Sequence, residues 1–145
     1  MTDIFESLTS EHHEVERLFD AYRENAQDSI AHDICDALTV HAAVEEQVFY
    51  PAVRKWVDDG DDLANRAEDE HGTVRALIAR VYEAPPIDVG SLLHELHQEV
   101  RRHVQWEEAE LFPQLQDTNA DFAALGTQLD PARAAASSRR SGRSG

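Results

Sequence analysis

Two stretches of this chain repeat one pattern, HxxxEExxxxP with an aromatic residue before the proline. His41-Ala-Ala-Val-Glu45-Glu46-Gln-Val-Phe-Tyr50-Pro51 aligns with His103-Val-Gln-Trp-Glu107-Glu108-Ala-Glu-Leu-Phe112-Pro113 at a constant offset of 62 residues. Upstream, Glu11-His12-x-x-Val15-x-x-Leu18 matches Glu70-His71-x-x-Val74-x-x-Leu77. The chain therefore reads as two copies of a helical hairpin. Two hairpins with one amphipathic face each bury those faces against one another, which predicts an all-α, antiparallel up-down-up-down four-helix bundle with a pseudo-twofold core.

The apolar spacing supports four long helices. Phe5, Leu8, Val15, Leu18, Phe19 and Tyr22 form one stripe over about 3–25, with histidine at position 12. A second helix is expected over about 29–57, with Ser29 as N-cap and His41 and Glu45 on the inner face among Ile34, Leu38, Val48, Ala52 and Trp56. A third follows the Asp59 to Asp62 turn and takes Leu63, Ala67, Val74, Ile78 and Val81 inward, with His71 among them, ending before Pro85. A fourth, over about 88–115, presents Leu93, Leu96, Val100 and Leu111 with His103 and Glu107. Pro51 and Pro113 fall inside the second and fourth patterns, where each is expected to kink or end its helix. A short amphipathic fifth helix fits 119–129. The Arg- and Ser-rich stretch 131–145, with Arg133, Arg139, Arg140 and Arg143, shows no apolar pattern and is read as a disordered tail on a folded body of residues 1–130.

Six ionisable groups thus occupy core positions: His12, His41, Glu45, His71, His103 and Glu107. An unpaired imidazole or carboxylate in a dry core costs several kcal/mol or is neutralised, so the six need one shared explanation. A bound metal supplies it. The i, i+4 spacing of each HxxxE pair puts imidazole and carboxylate on one helix face, one turn apart, where both reach a centre between helices. Four histidines and two carboxylates suit two ions bridged by the carboxylates, with His12 and His41 on one ion and His71 and His103 on the other, or interleaved. Mixed N and O donors without thiolate favour two iron ions joined by an oxo or hydroxo bridge, ahead of manganese and ahead of structural zinc. About two coordination positions of the pair stay open for a small molecule. Glu46 and Glu108 lie about 100° around the helix from Glu45 and Glu107, so a supporting or a solvated role is expected ahead of direct ligation, with both kept as reserve ligands. His13, His32, His94 and His97 read as surface residues, and Cys35 as a small buried one.

In this order of residues (His12; His41 and Glu45; His71; His103 and Glu107), with the doubled Glu and both aromatic-Pro elements, the chain resembles the hemerythrin-like, or HHE cation-binding, proteins over about residues 4–115. It is similar in particular to the short actinobacterial and mycobacterial members. The resemblance implies a carboxylate-bridged, non-haem di-iron centre. It also shows a departure, because oxygen-carrying hemerythrins have a fifth histidine four residues after the third-helix ligand and this chain has Arg75 there. That loss argues against reversible O₂ transport. The resemblance points instead to decomposition of hydrogen peroxide, catalase-like or peroxidase, with nitric oxide as a further substrate; the alternative is an O₂ or NO sensor, or an iron-handling protein without turnover. Tyr50, whose counterpart is Phe112, is the candidate catalytic residue: its phenol swings toward the vacated ligand position, or it packs in the core beside Pro51 with its hydroxyl hydrogen-bonded.

Composition limits the partners. A net charge of −16 argues against nucleic acid and anionic membrane, and no apolar run is long enough to cross a bilayer; the small-molecule partners (H₂O₂, O₂, NO) are those the resemblance implies, and a monomer is expected. One cysteine and an N-terminus of neither basic nor apolar signal character place the chain in a reducing cytoplasm.

Overall fold

The computed structural model describes the backbone of residues 3–143 and the side chains of residues 3–138. Five helical rods account for it. The first is α1 (Ile4–Glu24), capped by Asp3, whose Oδ1 accepts from the Phe5 and Glu6 amides at 2.8 and 3.2 Å. The second rod joins α2 (Asp28–Val44), a π-helical turn (Glu45–Phe49) and α3 (Tyr50–Trp56). Next comes α4 (Gly60–Glu83), and then a fourth rod of α5 (Pro86–Trp106), a second π turn (Glu107–Leu111) and α6 (Phe112–Gln116). The last rod is α7 (Phe122–Arg143). Short connections join the first four into the antiparallel up-down-up-down bundle, and α7 lies along α1, α2 and the first π turn. No helix among the described residues is long and apolar enough to cross a membrane.

The core is divided in two. Near one end, Ile4, Leu8, Phe49, Val53, Leu111 and Leu115 pack together; near the other, Phe19, Ile34, Leu38, Ile78, Leu93 and Leu96 do so. The six ionisable residues lie in the layer between: His12 falls between Leu8 and Val15 on α1, and His71 between Ala67 and Val74 on α4.

Four expectations change in the folded chain. Trp56 does not join the inner face of its rod: it is 40% exposed. Helix α2 starts at Asp28 behind Gln27, so Ser29 is inside the first turn and is not the cap, and the Ile30 and Ala31 amides bond the Gln27 carbonyl. Pro51 and Pro113 do not end their rods. Each stands in the first turn of a new α segment, where its missing N–H costs nothing, and the π turn before it takes up the change of register. The stretch from 131 is not an irregular tail: α7 runs through Pro131, and Leu129, Ala132 and Ala136, spaced three and four apart, are buried against the bundle. Small alanines make a helical face as well as large residues do when the partner surface comes close. Ser144 and Gly145 lie outside the described residues, and the side chains of Arg139, Arg140 and Arg143 lie outside those described.

Gly60 opens α4 against the α3 backbone, so close that a Cβ there would stand 2.1 Å from the Val53 carbonyl oxygen. Alanine normally improves a helix by up to about 1 kcal/mol over glycine. Here the steric term dominates, because backbone cannot step aside. Gly60→Ala is expected to lose about 1–3 kcal/mol in urea unfolding, and an unchanged or raised midpoint would contradict this packing.

Candidate metal centre

His12, His41, Glu45 and Glu107 bring one ligand atom each to within 4.8 Å of one another, and Glu45, His71, His103 and Glu107 form a second such group. Both groups contain both carboxylates. Of the pairings the sequence leaves open, the folded chain takes His12 with His41 and His71 with His103. The Nε2 atoms of His12 and His41 are 3.1 Å apart. The Glu107 carboxylate spans the two groups, with Oε1 at 3.2 Å from His12 Nε2 and Oε2 at 3.2 Å from His103 Nε2. Glu45 Oε1 lies 3.2 Å from His41 Nε2 and 3.1 Å from His71 Nε2.

Both carboxylates are 0% exposed, and two of their oxygens, Glu45 Oε2 and Glu107 Oε1, lack a hydrogen-bond partner among the described residues; the 3.2 Å approach of His12 is outside bonding geometry. An orphaned charged oxygen in a dry core costs several kcal/mol. Cations placed among the Nε2 and carboxylate oxygens would satisfy those atoms, so the donor set fits a pair of metal ions on an observation independent of any likeness.

The ring nitrogens that face outward are also spoken for. His12 Nδ1 meets Glu108 Oε2 at 2.6 Å, His41 Nδ1 meets Glu11 Oε1 at 2.7 Å, His71 Nδ1 meets Glu46 Oε2 at 2.8 Å and His103 Nδ1 meets Glu70 Oε1 at 2.6 Å. A carboxylate on Nδ1 holds the proton there and turns the Nε2 lone pair inward, the arrangement a metal-ligating imidazole needs. Glu46 and Glu108 do what their helix positions predict. Glu11 and Glu70 were missed, although the repeated Glu-His dipeptides that contain them were visible: each Glu supports the histidine of the neighbouring rod, not its own sequence neighbour.

Burial alone would depress His41, His71 and His103, but facing carboxylates override it. His41, with Glu45 and Glu11, is held well above the imidazole range; His71, with Glu45 and Glu46, is raised; His103, with Glu107 and Glu70, is raised to about 10. Burial pushes Glu45 up, yet the charge of His41 and the hydrogen bonds around it hold it well below the carboxylate range. Burial with Glu45 and Glu107 beside it raises Tyr50, so its hydroxyl keeps its proton.

The π turns place Tyr50. A π turn closes i to i+5, so the Tyr50 amide bonds the Glu45 carbonyl and the side chain rises over Glu45; in an α-helix position i+5 is about 140° away. The Tyr50 hydroxyl lies 2.8 Å from Glu107 Oε2, 3.2 Å from Glu45 Oε1 and 3.0 Å from His71 Nε2. Phe112, its repeat partner, stacks beside His12 with ring centroids 6.1 Å apart and brings no oxygen. The second group therefore has a phenol where the first has a bare ring. On the histidine side, Val15, Leu38, Val74, Val100 and Val104 close a cavity of about 30 Å³, room for one or two water-sized molecules.

The remaining candidates stay apart from the centre. Arg75 turns to Glu46 and ligates nothing. His97 is buried, not a surface residue, because it stacks on Phe19 at 4.2 Å and meets Glu16 at 2.7 Å. Cys35 is buried in the second core half, and burial, with Asp36 nearby, pushes its thiol up to about 12, which leaves it unreactive.

The family described as Hemerythrin HHE cation binding domain matches residues 3–115. The fold is similar to that of a solved hemerythrin HHE cation-binding domain-containing protein from Mycobacterium kansasii, 18% identical, with a TM-score of 0.79 over 94% of this chain and 88% of that one. That share exceeds residues 3–115, so the likeness of fold reaches into α7. No curated protein matches the chain.

Saturating ferrous iron under anaerobic conditions, at about 100 times its dissociation constant, is expected to stabilise the protein by about 2.7 kcal/mol and to raise Tm by roughly 5–10 °C. Glu45→Ala should abolish the shift. Because a cation competes with protons on raised histidines, the shift should grow from pH 6 to pH 8; a shift that is absent, or that persists in the variant, counts against these ligands.

Proposed function

The chain belongs to the hemerythrin HHE cation-binding domain family, and from that premise we propose that it is a non-haem di-iron protein that decomposes hydrogen peroxide, in a catalase-like or peroxidase manner, with nitric oxide as a further substrate. The observation that carries this is the pair of ligand groups sharing both carboxylates, with His12, His41, Glu45, His71, His103 and Glu107 as the residues that hold the ions. Two bridged iron ions supply, when bound, Lewis acidity and reversible electron transfer at adjacent centres. A closed structural site needs neither a neighbouring cavity nor a phenol among its donors.

The chain's own groups do the rest. Glu45 and Glu107 hold the two groups at a set separation, and the four outer carboxylates keep every Nε2 directed inward. Tyr50 holds a proton at its hydroxyl beside Glu107 and His71, on the group that Arg75 leaves without a fifth histidine. Aliphatic side chains beside the four histidines line a cavity of about 30 Å³, a size that suits peroxide, O₂ or NO. The same proposal takes the protein as a cytoplasmic monomer acting on small molecules; the charge of −16, unfavourable for nucleic acid and anionic lipid, supports it.

One observation favours a second reading. Apart from the four histidines, the cavity is walled by valines, a leucine and an alanine, a lining that suits O₂ or NO better than peroxide, as in a sensor that binds without turnover. Oxygen evolution separates the two. Peroxide added to iron-loaded protein at an oxygen electrode is expected to release O₂, and His41→Ala or His103→Ala to stop it; a stable O₂ adduct without oxygen release would favour binding alone. Tyr50→Phe should slow turnover about tenfold or more while iron stays bound. Unchanged turnover and visible absorption would remove Tyr50 from the chemistry.

A further inference from the structure

Three outer carboxylates carry an arginine in turn. Arg66 meets Glu70 at 3.4 Å, and Arg75 meets Glu46, both from α4. The third arginine comes from outside the four-helix unit. Arg133 of α7 donates through Nε to Glu11 Oε2 and through a terminal nitrogen to Ser7 Oγ. Ser7 and Glu11 are one turn apart on the same face of α1, so the forked guanidinium is held at two points of α1, with a further bond at 3.1 Å to Asp130 of its own helix. The other oxygen of Glu11 faces His41 Nδ1 at 2.7 Å. The result is a continuous relay from α7 to a donor of the first group: Arg133, Glu11, His41, and then the inward Nε2.

The relay is sheltered. Arg133 and Glu11 are 26% and 24% exposed at their side chains, and Ala132 and Ala136 beside Arg133 are buried against the bundle. Glu11 lies on the rim of the bundle with three rotatable side-chain bonds. Held by Arg133 at Oε2, its Oε1 has one direction left, toward His41. Released, it gains rotamers that abandon the imidazole, and the His41 ring loses what fixes its plane.

We propose that Arg133 is a positioning residue through which α7 controls the cation affinity of the His12/His41 group and leaves the His71/His103 group untouched. This rests on the metal-site reading above. The bland alternative is a salt bridge that only fastens α7 to α1, which would change stability and not selectivity between the two groups.

Anaerobic titration of the full chain with ferrous iron, with far-UV circular dichroism and Tm as controls, tells them apart. The unaltered protein should bind two ions. In Arg133→Met one ion should weaken about 10–100-fold, as for lost outer partners of metal ligands, and the other should be unchanged. Glu11→Gln should do the same, and the double variant should be no worse than either single one. In a His41→Ala background, where Glu11 has no imidazole left to position, Arg133→Met should change nothing. Equal weakening of both ions, no weakening, or additive losses with Glu11→Gln would overturn the proposal. Arg133→Lys, which keeps the charge and loses the fork, serves where the methionine variant does not fold, and is read by the same outcomes. If the unaltered protein binds no cation, the metal-site reading falls with this inference; if it binds two and the variants do as well, this inference alone falls.

Discussion

Two buried carboxylates facing four imidazoles are what the rest of this bundle is arranged around. Neither Glu45 nor Glu107 has any exposure, and an ion in that setting costs several kcal/mol unless its charge is met. The imidazoles meet it from the inside. From the outside, Glu11, Glu46, Glu70 and Glu108 hold the same imidazoles by their other nitrogen. Part of the acid excess of the chain is therefore structural, a ring around the centre and not merely a solvated face. The apolar core is split into two halves because this layer has to pass between them.

The π turns solve a geometric problem that a straight helix does not. The second and fourth rods present a histidine and a glutamate one turn apart, and the second rod then brings an aromatic ring over the same glutamate five residues later. An α-helix satisfies the first demand and fails the second, whereas a turn closed between i and i+5 brings Tyr50 over Glu45, and the same turn recurs from Glu107 to Phe112. The prolines that follow fall where a new α segment begins. What looks in the sequence like an interruption is the register change that lets the ring reach the centre.

Pseudo-symmetry ends at three places: the phenol of Tyr50 against the phenyl of Phe112, Arg75 beside Glu46, and α7 lying on one side only. All three make the two ligand groups unequal. The first group has a phenyl ring and a connection to the C-terminal helix; the second has a hydroxyl among its donors. Inequality of this kind is what a centre needs if one position is to bind a small molecule and its neighbour is to steady the pair.

The repeat, the apolar spacing and the six misplaced ionisable groups were legible in the sequence, because within an unbroken α-helix a side chain's face follows from its number along the chain. From that come the bundle, the inward direction of His12, His41, Glu45, His71, His103 and Glu107, and the supporting place of Glu46 and Glu108. The roles of Glu11 and Glu70, the burial of His97 and the docking of residues 129–136 were not legible. The first two depend on the axial stagger of neighbouring rods, which puts Glu11 against His41 and not against His12. The third depends on Phe19 meeting His97 across two rods, and the last on alanines finding a surface close enough to touch. Local periodicity determined which residues face inward; only packing between helices decided which of them meet, because stagger and rotation are set by the whole interface and by no single stretch of chain.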